Sequence, residues 1–330
     1  MPKIIGEYSI DTMHVLNTGP ANQPTEEFPL FDYIGAQKTY EIGSVKVGGL
    51  PGLNPTVLID SIFYSKDKLV IDPKKGEFDK QAAEDILIML AGLSEKTGNP
   101  TMLDVVASTP EAMVKYLEFL IDATEFPLII DGSDSPDVNS AGLMYAKESG
   151  FMDRVILNSL TPDTKDDFYD VVQESGLQNV ILLTFNAASM MSATKRVEVA
   201  DELIKKALGI GIKQIMIDTG VLDLPSLGIA CKAQHLLKSK YGYPVGNGAH
   251  NAFSTWKGLV PKFGKSAKNP ALVGSSLMPV SLGADFVLIG PSKHAPIIYP
   301  SVAMIDVALS GMYIEERKRP ERPHPRYLIG

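Results

Sequence analysis

Short apolar runs, each closed by a polar residue, recur along the chain between residues 56 and 289. Residues 128–130 read Leu-Ile-Ile and end in Asp131, and residues 155–157 read Val-Ile-Leu and end in Asn158. The apolar positions are continuous rather than alternating, which is typical of strands buried on both faces. Enough sequence for one helix separates successive runs, as a crossover between parallel strands requires. The pattern therefore predicts a repeated strand–helix unit.

Eight strands are predicted in this way, at residues 56–59, 101–103, 128–130, 155–157, 180–185, 214–217, 243–246 and 285–289. Eight strand–helix units are typical of an α/β protein with a (β/α)₈ TIM barrel, whose active site is built at the carboxyl ends of the strands. The candidate site is therefore the set of polar residues at these ends and in the loop after the seventh strand: Asp60, Asp104, Asp131, Asn158, Asn186, Asp218, Asn247 and Asn251.

The pattern also divides the chain into three predicted segments. Residues 37–311 form the barrel domain, which opens with an alternating stretch at residues 38–49 that predicts a β-hairpin at the bottom of the barrel. Residues 1–36 have no clean period and are interpreted as an N-terminal extension, and residues 312–330 as a solvated or partner-bound C-terminal tail. In the loop after the first barrel strand, Phe63, Tyr64, Lys66 and Lys68 are candidates for an exposed rim.

Composition narrows the functional classes. The net charge is −8, and the basic stretch at residues 315–326 mixes both charge signs with three prolines, so a nucleic-acid partner is not expected. The chain has no apolar stretch of about 18 residues and no signal-peptide pattern, so we expect a cytoplasmic protein without membrane insertion. Cys231 is the one cysteine, which excludes a disulfide within the chain and disfavours a structural zinc. No bound metal is expected.

The strand-end residues exclude several kinds of active site. None of the eight ends carries the lysine of a Schiff-base aldolase. His250 is the one histidine near a strand end, which disfavours a zinc hydrolase, and we expect it to be structural rather than catalytic. What remains is a ring of carboxylates, which accept hydrogen bonds, and carboxamides, which both donate and accept. This mixture suits a flat heterocycle such as a pterin.

Two other interpretations of the ring stay open. A strand-end aspartate often caps the following helix or binds a loop amide, which would make any single member structural. Carboxylates also bind hard cations, so a Mg²⁺ or sugar-phosphate site is the other functional alternative. The recurrence of polar residues at equivalent strand ends favours a shared ligand over a series of separate caps.

Several long stretches carry a family resemblance. They read YEIGSVKVGGLPG (residues 40–52), PTVLIDSIFY (55–64), KTGNPTMLDVVASTPEAMVKYLEF (96–119), PVGNGAHNAFSTW (244–256) and DFVLIGPS (285–292). The chain resembles the H-subunit family of tetrahydromethanopterin S-methyltransferase, which includes soluble methylcorrinoid:tetrahydrofolate methyltransferases. The resemblance covers residues 40–311 and implies a pterin-binding (β/α)₈ barrel.

The resemblance also implies roles for individual residues. In pterin-binding methyltransferases of this kind, the positions that match Asp131, Asn158, Asp218 and Asn251 hold the pterin, and Asn247 competes with Asn251 for the last of these. Asn251 and Asp218 are assigned the catalytic roles, with Asn251 stabilising positive charge at N5. The remaining members of the expected pterin-binding set are Asp104, Asn186 and Asn247.

The implied reaction moves a methyl group from a methyl-Co(III) corrinoid to N5 of a tetrahydropterin. No DxHxxG cobalamin-binding motif occurs in the chain, so the corrinoid is expected on a separate methylated corrinoid protein. A homodimer is expected on the resemblance alone. Tetrahydrofolate is favoured over tetrahydromethanopterin as acceptor, because the two termini depart from the pattern of the membrane-complex member of the family. The alternatives are a non-catalytic or peripheral pterin-binding subunit of a larger complex, and a metal-dependent barrel lyase.

Overall fold

The computed structural model describes residues 31–64 and 66–329. Its strands, in chain order, are β1 (Thr39–Ile42), β2 (Val45–Gly48), β3 (Val57–Ile62), β4 (Val70–Asp72), β5 (Glu77–Phe78), β6 (Thr101–Val106), β7 (Leu128–Asp131), β8 (Val155–Leu160), β9 (Asn179–Leu183), β10 (Gln214–Asp218), β11 (Val245–Asn247) and β12 (Phe286–Pro291). Its helices are α1 (Lys80–Thr97), α2 (Pro110–Ala123), α3 (Pro136–Ser149), α4 (Asp166–Ser175), α5 (Ala193–Gly209), α6 (Leu224–Tyr241), α7 (His250–Ser254), α8 (Leu259–Phe263), α9 (Lys268–Ser281) and α10 (Ala295–Gly311).

Eight of these strands close into a parallel barrel. Around the barrel the order is β3, β6, β7, β8, β9, β10, β11 and β12, and β12 pairs with β3 to close the ring. Helices connect the successive strands, as crossovers between parallel strands require. The predicted (β/α)₈ TIM barrel is confirmed, and each of the eight predicted strands is present. Their carboxyl ends meet at one end of the barrel, where a barrel of this kind carries its site.

The side chains of the barrel strands alternate between two apolar cores, because successive residues of a strand point to opposite faces. Ile59 and Ile129 belong to a cluster that fills the inside of the barrel. Their chain neighbours Leu58 and Ile130 belong instead to the larger cluster between strands and helices. This alternation decides which strand-end residues face the interior.

The β1–β2 hairpin closes the amino-terminal end of the barrel. β1 and β2 pair antiparallel, and Ile42, Val45 and Val47 join the interior cluster. These three side chains are at most 4% exposed. Gly43, at the hairpin turn, lies against Arg154, which immediately precedes β8. The predicted plug at the bottom of the barrel is confirmed.

The predicted exposure of Phe63 is wrong. Its side chain is 1% exposed, and its ring stacks on Tyr116 of α2 with 4.2 Å between the ring centroids. Phe78 of β5 packs against the same ring at 4.7 Å. The neighbouring lysines and the length of the loop favoured an exposed rim, but this aromatic side chain fills the space between α2 and the β4–β5 hairpin.

The C-terminal tail differs from the expectation, whereas the N-terminal extension is largely untested. Most of the predicted extension, residues 1–36, lies outside the described residues, and the compact unit that holds the barrel begins at Tyr33. The C-terminal tail is not solvated throughout, because His324 is fully buried and Arg326 Nη1 donates to Ser310 Oγ of α10 at 3.1 Å. The domain boundaries at residues 37 and 311 stay predictions. Within the described part of the chain, no helix has both the length and the apolar composition to cross a membrane.

Candidate functional site

A cavity of about 300 Å³ opens at the carboxyl ends of the barrel strands. Four predicted site residues line it: Asp131 at the end of β7, Asn158 in β8, Asp218 at the end of β10 and Asn251 in α7. Phe185, from the loop after β9, adds an aromatic wall. With Asp134 and Asn139, which also line it, the cavity combines three carboxyl groups, three carboxamides and one aromatic ring.

The alternation along each strand explains why these side chains meet. Asp131 follows the inward-facing Ile129 by two positions, and Asp218 follows the inward-facing Met216 by two. The same spacing relates Asn158 to an inward-facing residue of β8. Since residues two apart on a strand share a face, all three point into the barrel above its apolar filling.

The amide of Asn158 lies between two carboxyl groups. Its Nδ2 is 3.3 Å from Asp104 Oδ1 and 3.4 Å from Asp131 Oδ2. Asp104 is buried beside the cavity, and its Oδ2 accepts from Ser61 Oγ at 2.9 Å. Asp131 Oδ1 accepts from the backbone N–H of Ser133 at 2.7 Å. Asp104 therefore positions Asn158 rather than lining the cavity, and within the described residues no donor satisfies the Asn158 amide oxygen.

Asp218 is oriented by the loop after β10. Its Oδ1 accepts from the backbone N–H of Gly220 at 2.7 Å. Gly220 has φ +71°, and a Cβ at this position would overlap the side chain of Phe185. Only glycine fits such a left-handed, closely approached position without strain. The loop thus directs one carboxylate oxygen to its own backbone, and among the described residues the other oxygen has no donor and is available to a ligand.

Arg196 of α5 is fully buried behind this loop. Its Nη1 donates to the carbonyls of Thr219 and Gly220 at 2.7 and 2.8 Å, and its Nη2 to the carbonyl of Met190 at 2.7 Å. Among the described residues it has no ion-pair partner within 4.0 Å. The guanidinium therefore ties the loops after β9 and β10 together, and its charge acts on Asp218 without direct contact.

Burial raises the pKa of Asp104, Asp131 and Asp218. The pKa of Asp218 is raised to about 6 by burial, although the hydrogen bond from Gly220 and the charge of Arg196 both lower it. Burial also raises the pKa of Asp131, and the neighbouring Asp104 raises it further. The pKa of Asp104 is raised mainly by burial. A ligand that donates hydrogen bonds to these carboxylates would favour their ionised forms and release protons on binding.

Asn251 and His250 begin α7 beside the cavity. Asn251 Nδ2 donates to the carbonyl of Val221 at 3.1 Å, which fixes the amide plane. Its Oδ1 has no donor among the described residues, so this oxygen is available to a ligand. His250 Nδ1 is 2.9 Å from the carbonyl oxygen of Leu288, and burial lowers its pKa. His250 therefore joins α7 to β12.

Asp60 lies outside the cavity. It directly follows the inward-facing Ile59, so its side chain points outward towards α10. There Tyr299 Oη donates to Asp60 Oδ2 at 2.7 Å. Burial raises the pKa of Asp60 to about 8, against the lowering effect of this hydrogen bond. This strand-end aspartate joins the barrel to its helix layer.

Asn247 and Asn186 also do not line the cavity. Asn247 points outward from β11, where its Nδ2 is 3.4 Å from Gln234 Oε1 of α6. Asn186 closes the turn after β9, and its Oδ1 accepts from the backbone N–H of Ser189 at 2.8 Å. Of the predicted ring, the structure brings together Asp131, Asn158, Asp218 and Asn251, with Asp104 behind them.

Sequence reasoning missed Arg196, Phe185 and Ser61. The signal for Arg196 was present, because it falls on the buried stripe of α5 with Ala193 and Ala200. A charged residue on an apolar helical stripe is unusual and calls for partners. Phe185 and Ser61 gave no comparable signal, since each is an ordinary residue in its strand or loop.

Comparison with known proteins identifies the family. The family model for the MtrH subunit of tetrahydromethanopterin S-methyltransferase matches residues 35–318. The chain belongs to this family. The H subunit of tetrahydromethanopterin S-methyltransferase from Methanothermobacter thermautotrophicus is 35% identical over 311 residues, which cover 91% of this chain and 100% of that protein. The H subunit of the putative methyltransferase mtx from Methanosarcina barkeri is 32% identical over 313 residues, with the same coverage of both chains.

Solved structures agree with the barrel fold of this MtrH-family chain. Dihydropteroate synthase from Yersinia pestis, solved with a sulfonamide drug complex, superimposes with a TM-score of 0.60 at 11% identity. The match covers 83% of this chain and 100% of that chain. At so low an identity the likeness shows the barrel fold alone. The resemblance drawn from the sequence motifs is confirmed by the family match.

Proposed function

We propose that this chain transfers a methyl group from a methyl-Co(III) corrinoid, carried by a separate protein, to N5 of a tetrahydropterin. The observation that supports this most is the convergence of Asp131, Asn158, Asp218 and Asn251 on one cavity. Family membership supports the reaction class, since its relatives are named as methyltransferase subunits.

The polar groups of the cavity complement the pyrimidine edge of a pterin. That edge presents an amino group and a ring N–H as donors, and a lactam oxygen and a ring nitrogen as acceptors. Asp131 and Asp218 supply carboxylate acceptors, and Asn158 supplies an amide with a free oxygen. The volume of about 300 Å³ lies at the lower end of the range for small-molecule sites, which suits a bicyclic ring.

The proposed chemistry is a direct displacement. The N5 lone pair attacks the methyl carbon, and the carbon–cobalt bond breaks with both electrons remaining on cobalt as Co(I). N5 then loses its proton to solvent, so a neutral N-methyl product remains. The chain contributes mainly alignment of N5, which is itself a large catalytic effect. Asn251 Oδ1 is free to accept from N5–H while positive charge is present there.

The acceptor is either tetrahydrofolate or tetrahydromethanopterin. The names of the relatives favour tetrahydromethanopterin. The expectation of tetrahydrofolate rests on the chain's two termini. A homodimer is proposed on family resemblance alone.

Replacing Asp131 or Asp218 with asparagine tests the proposed site. We expect Asp131→Asn and Asp218→Asn each to weaken tetrahydropterin binding by about tenfold or more, since each removes a charge-assisted acceptor. Calorimetry with tetrahydrofolate and with tetrahydromethanopterin measures both affinities and names the acceptor.

Asp60→Asn is the matched control for this experiment. It makes the same carboxyl-to-amide change at a strand end, but its side chain faces α10. Its affinity should equal that of the wild type. Wild-type affinity in both cavity variants would contradict the pterin site. Tetrahydropterin binding without methyl transfer from any corrinoid donor would instead favour the non-catalytic subunit.

A further inference from the structure

Charge is unevenly distributed along this acidic chain. Residues 224–284 contain seven lysines and no aspartate or glutamate, although the whole chain has a net charge of −8. Two of these lysines are neutralised by partners from elsewhere in the chain. Lys238 contacts Asp285 at 2.7 Å inside the protein, and Lys240 contacts Asp201 at 2.8 Å at its surface.

Four of the lysines lie together between α7 and the start of α9, and all four are exposed: Lys257, Lys262, Lys265 and Lys268. In the part of the chain that the structure describes, none of them has a carboxylate within 4.0 Å. Together with Phe263, which lies among them, these four lysines form the lysine surface. The lysine surface is a positive region whose charge the rest of the described chain leaves uncompensated.

The lysine surface also carries an exposed aromatic ring. Phe263 is 59% exposed, and its ring packs edge-on against Trp256 with 5.9 Å between the centroids. Exposed aromatic residues surrounded by charged ones are typical of protein–protein interfaces, where the ring anchors and the charges select the partner. A binding site for the flexible, negatively charged tail of a small ligand would need lysines but no exposed aromatic ring.

The lysine surface adjoins the proposed pterin site. Asn251 lines the cavity from α7, and the chain continues from α7 directly through Trp256 and Lys257 into α8. Since N5 of the pterin is proposed to lie beside Asn251, a protein that delivers a methyl group to N5 must approach over this part of the barrel.

We propose that the lysine surface docks an acidic face of the protein that carries the methyl-corrinoid. This inference rests on the proposed function and specifies the charge of the partner protein's docking face. The four lysines steer the acidic partner towards the open end of the barrel, because a concentrated positive region accelerates association with a negative one. Phe263 then packs against the partner and holds it over the cavity.

The test replaces all four lysines by glutamine and compares two methyl donors. One donor is a purified methylated corrinoid protein that the wild type demethylates, and the other is free methylcobalamin. At low ionic strength, we expect the quadruple variant to lose about tenfold or more in kcat/KM for the protein donor. Its kcat/KM for free methylcobalamin and its KM for tetrahydropterin should not change, and added salt should diminish the wild type's advantage.

The matched control replaces four exposed lysines elsewhere by glutamine, namely Lys96, Lys205, Lys213 and Lys232. The net charge changes equally, so kinetics like those of the wild type would show that position matters rather than total charge. Equal losses with both donors, a raised KM for tetrahydropterin, an altered oligomeric state or no change at all would each overturn the docking proposal. A wild type that binds tetrahydropterin but demethylates no corrinoid protein, so that no protein donor for this test exists, would overturn the proposed reaction as well.

Discussion

At the scale of single residues, the buried carboxyl groups determine how the site depends on pH. Burial raises the pKa of Asp218 to about 6 and also raises that of Asp131. Ionising a carboxyl group in such a place costs folding free energy that a donor-rich ligand restores. The site therefore favours ligands that donate hydrogen bonds to these carboxylates.

Arg196 provides a test of this electrostatic arrangement. If the pterin donates to both carboxylates in their ionised form, wild-type affinity should rise by about tenfold per pH unit between pH 6 and pH 8 and more steeply below pH 6. The pH profile then has one break near pH 8 for Asp131 and one near pH 6 for Asp218. The charge of Arg196 lowers the pKa of Asp218, so Arg196→Met should move the Asp218 break to higher pH. Calorimetry between pH 5 and 9 measures both breaks.

Arg196→Lys separates the charge of Arg196 from its hydrogen bonds. A lysine keeps the positive charge but cannot reproduce the contacts to Thr219, Gly220 and Met190. The Asp218 break in the pH profile should stay near its wild-type position, while affinity falls at every pH. An unchanged profile in Arg196→Met would show that Arg196 serves only to hold the loops.

At the scale of strands, alternation separates the site residues from the other strand-end residues. Asp131 and Asp60 both end apolar runs in the sequence, yet one faces the cavity and the other faces α10. The runs are apolar on both faces, so the sequence carries no sign of which residues point inward. The existence of the eight strands was predictable, and the direction of each final side chain was not. The assignments of Asp131, Asn158, Asp218 and Asn251 came from family resemblance.

The β1–β2 hairpin should stabilise the barrel without contributing to its site. Ile42→Ala removes a fully buried side chain from the interior cluster, and we expect the free energy of unfolding to fall by about 2–5 kcal/mol. Urea unfolding measures this change. Tetrahydropterin affinity in the folded variant should stay at the wild-type level.

Lys46→Ala is the control within the same hairpin. Lys46 contacts Glu321 at 3.0 Å in an exposed ion pair, which contributes at most about 1 kcal/mol. If Ile42→Ala lowers the free energy of unfolding no more than Lys46→Ala does, the hairpin covers the end of the barrel without stabilising it.

At the scale of the whole molecule, the repeating pattern predicted the fold, while contacts distant in sequence decided the details. The lysines around Phe63 suggested exposure, but α2 and the β4–β5 hairpin enclose its ring. The C-terminal tail shows the same limit, since His324 is buried and its backbone lies against Gly98 at the distant end of α1. Such long-range packing is not encoded in local periodicity.

The hairpin that fills the bottom of the barrel has a kinetic consequence for the proposed reaction. With the interior packed below the cavity, both substrates reach it from the carboxyl ends of the strands. In the proposed reaction, a carrier protein seated there would block the way to the cavity. This predicts a compulsory order of addition in which the small substrate enters first. Excess carrier protein should therefore slow turnover, and more tetrahydropterin should relieve the inhibition. Initial rates over a grid of both concentrations measure this, and inhibition that tetrahydropterin cannot relieve would show a second route into the cavity.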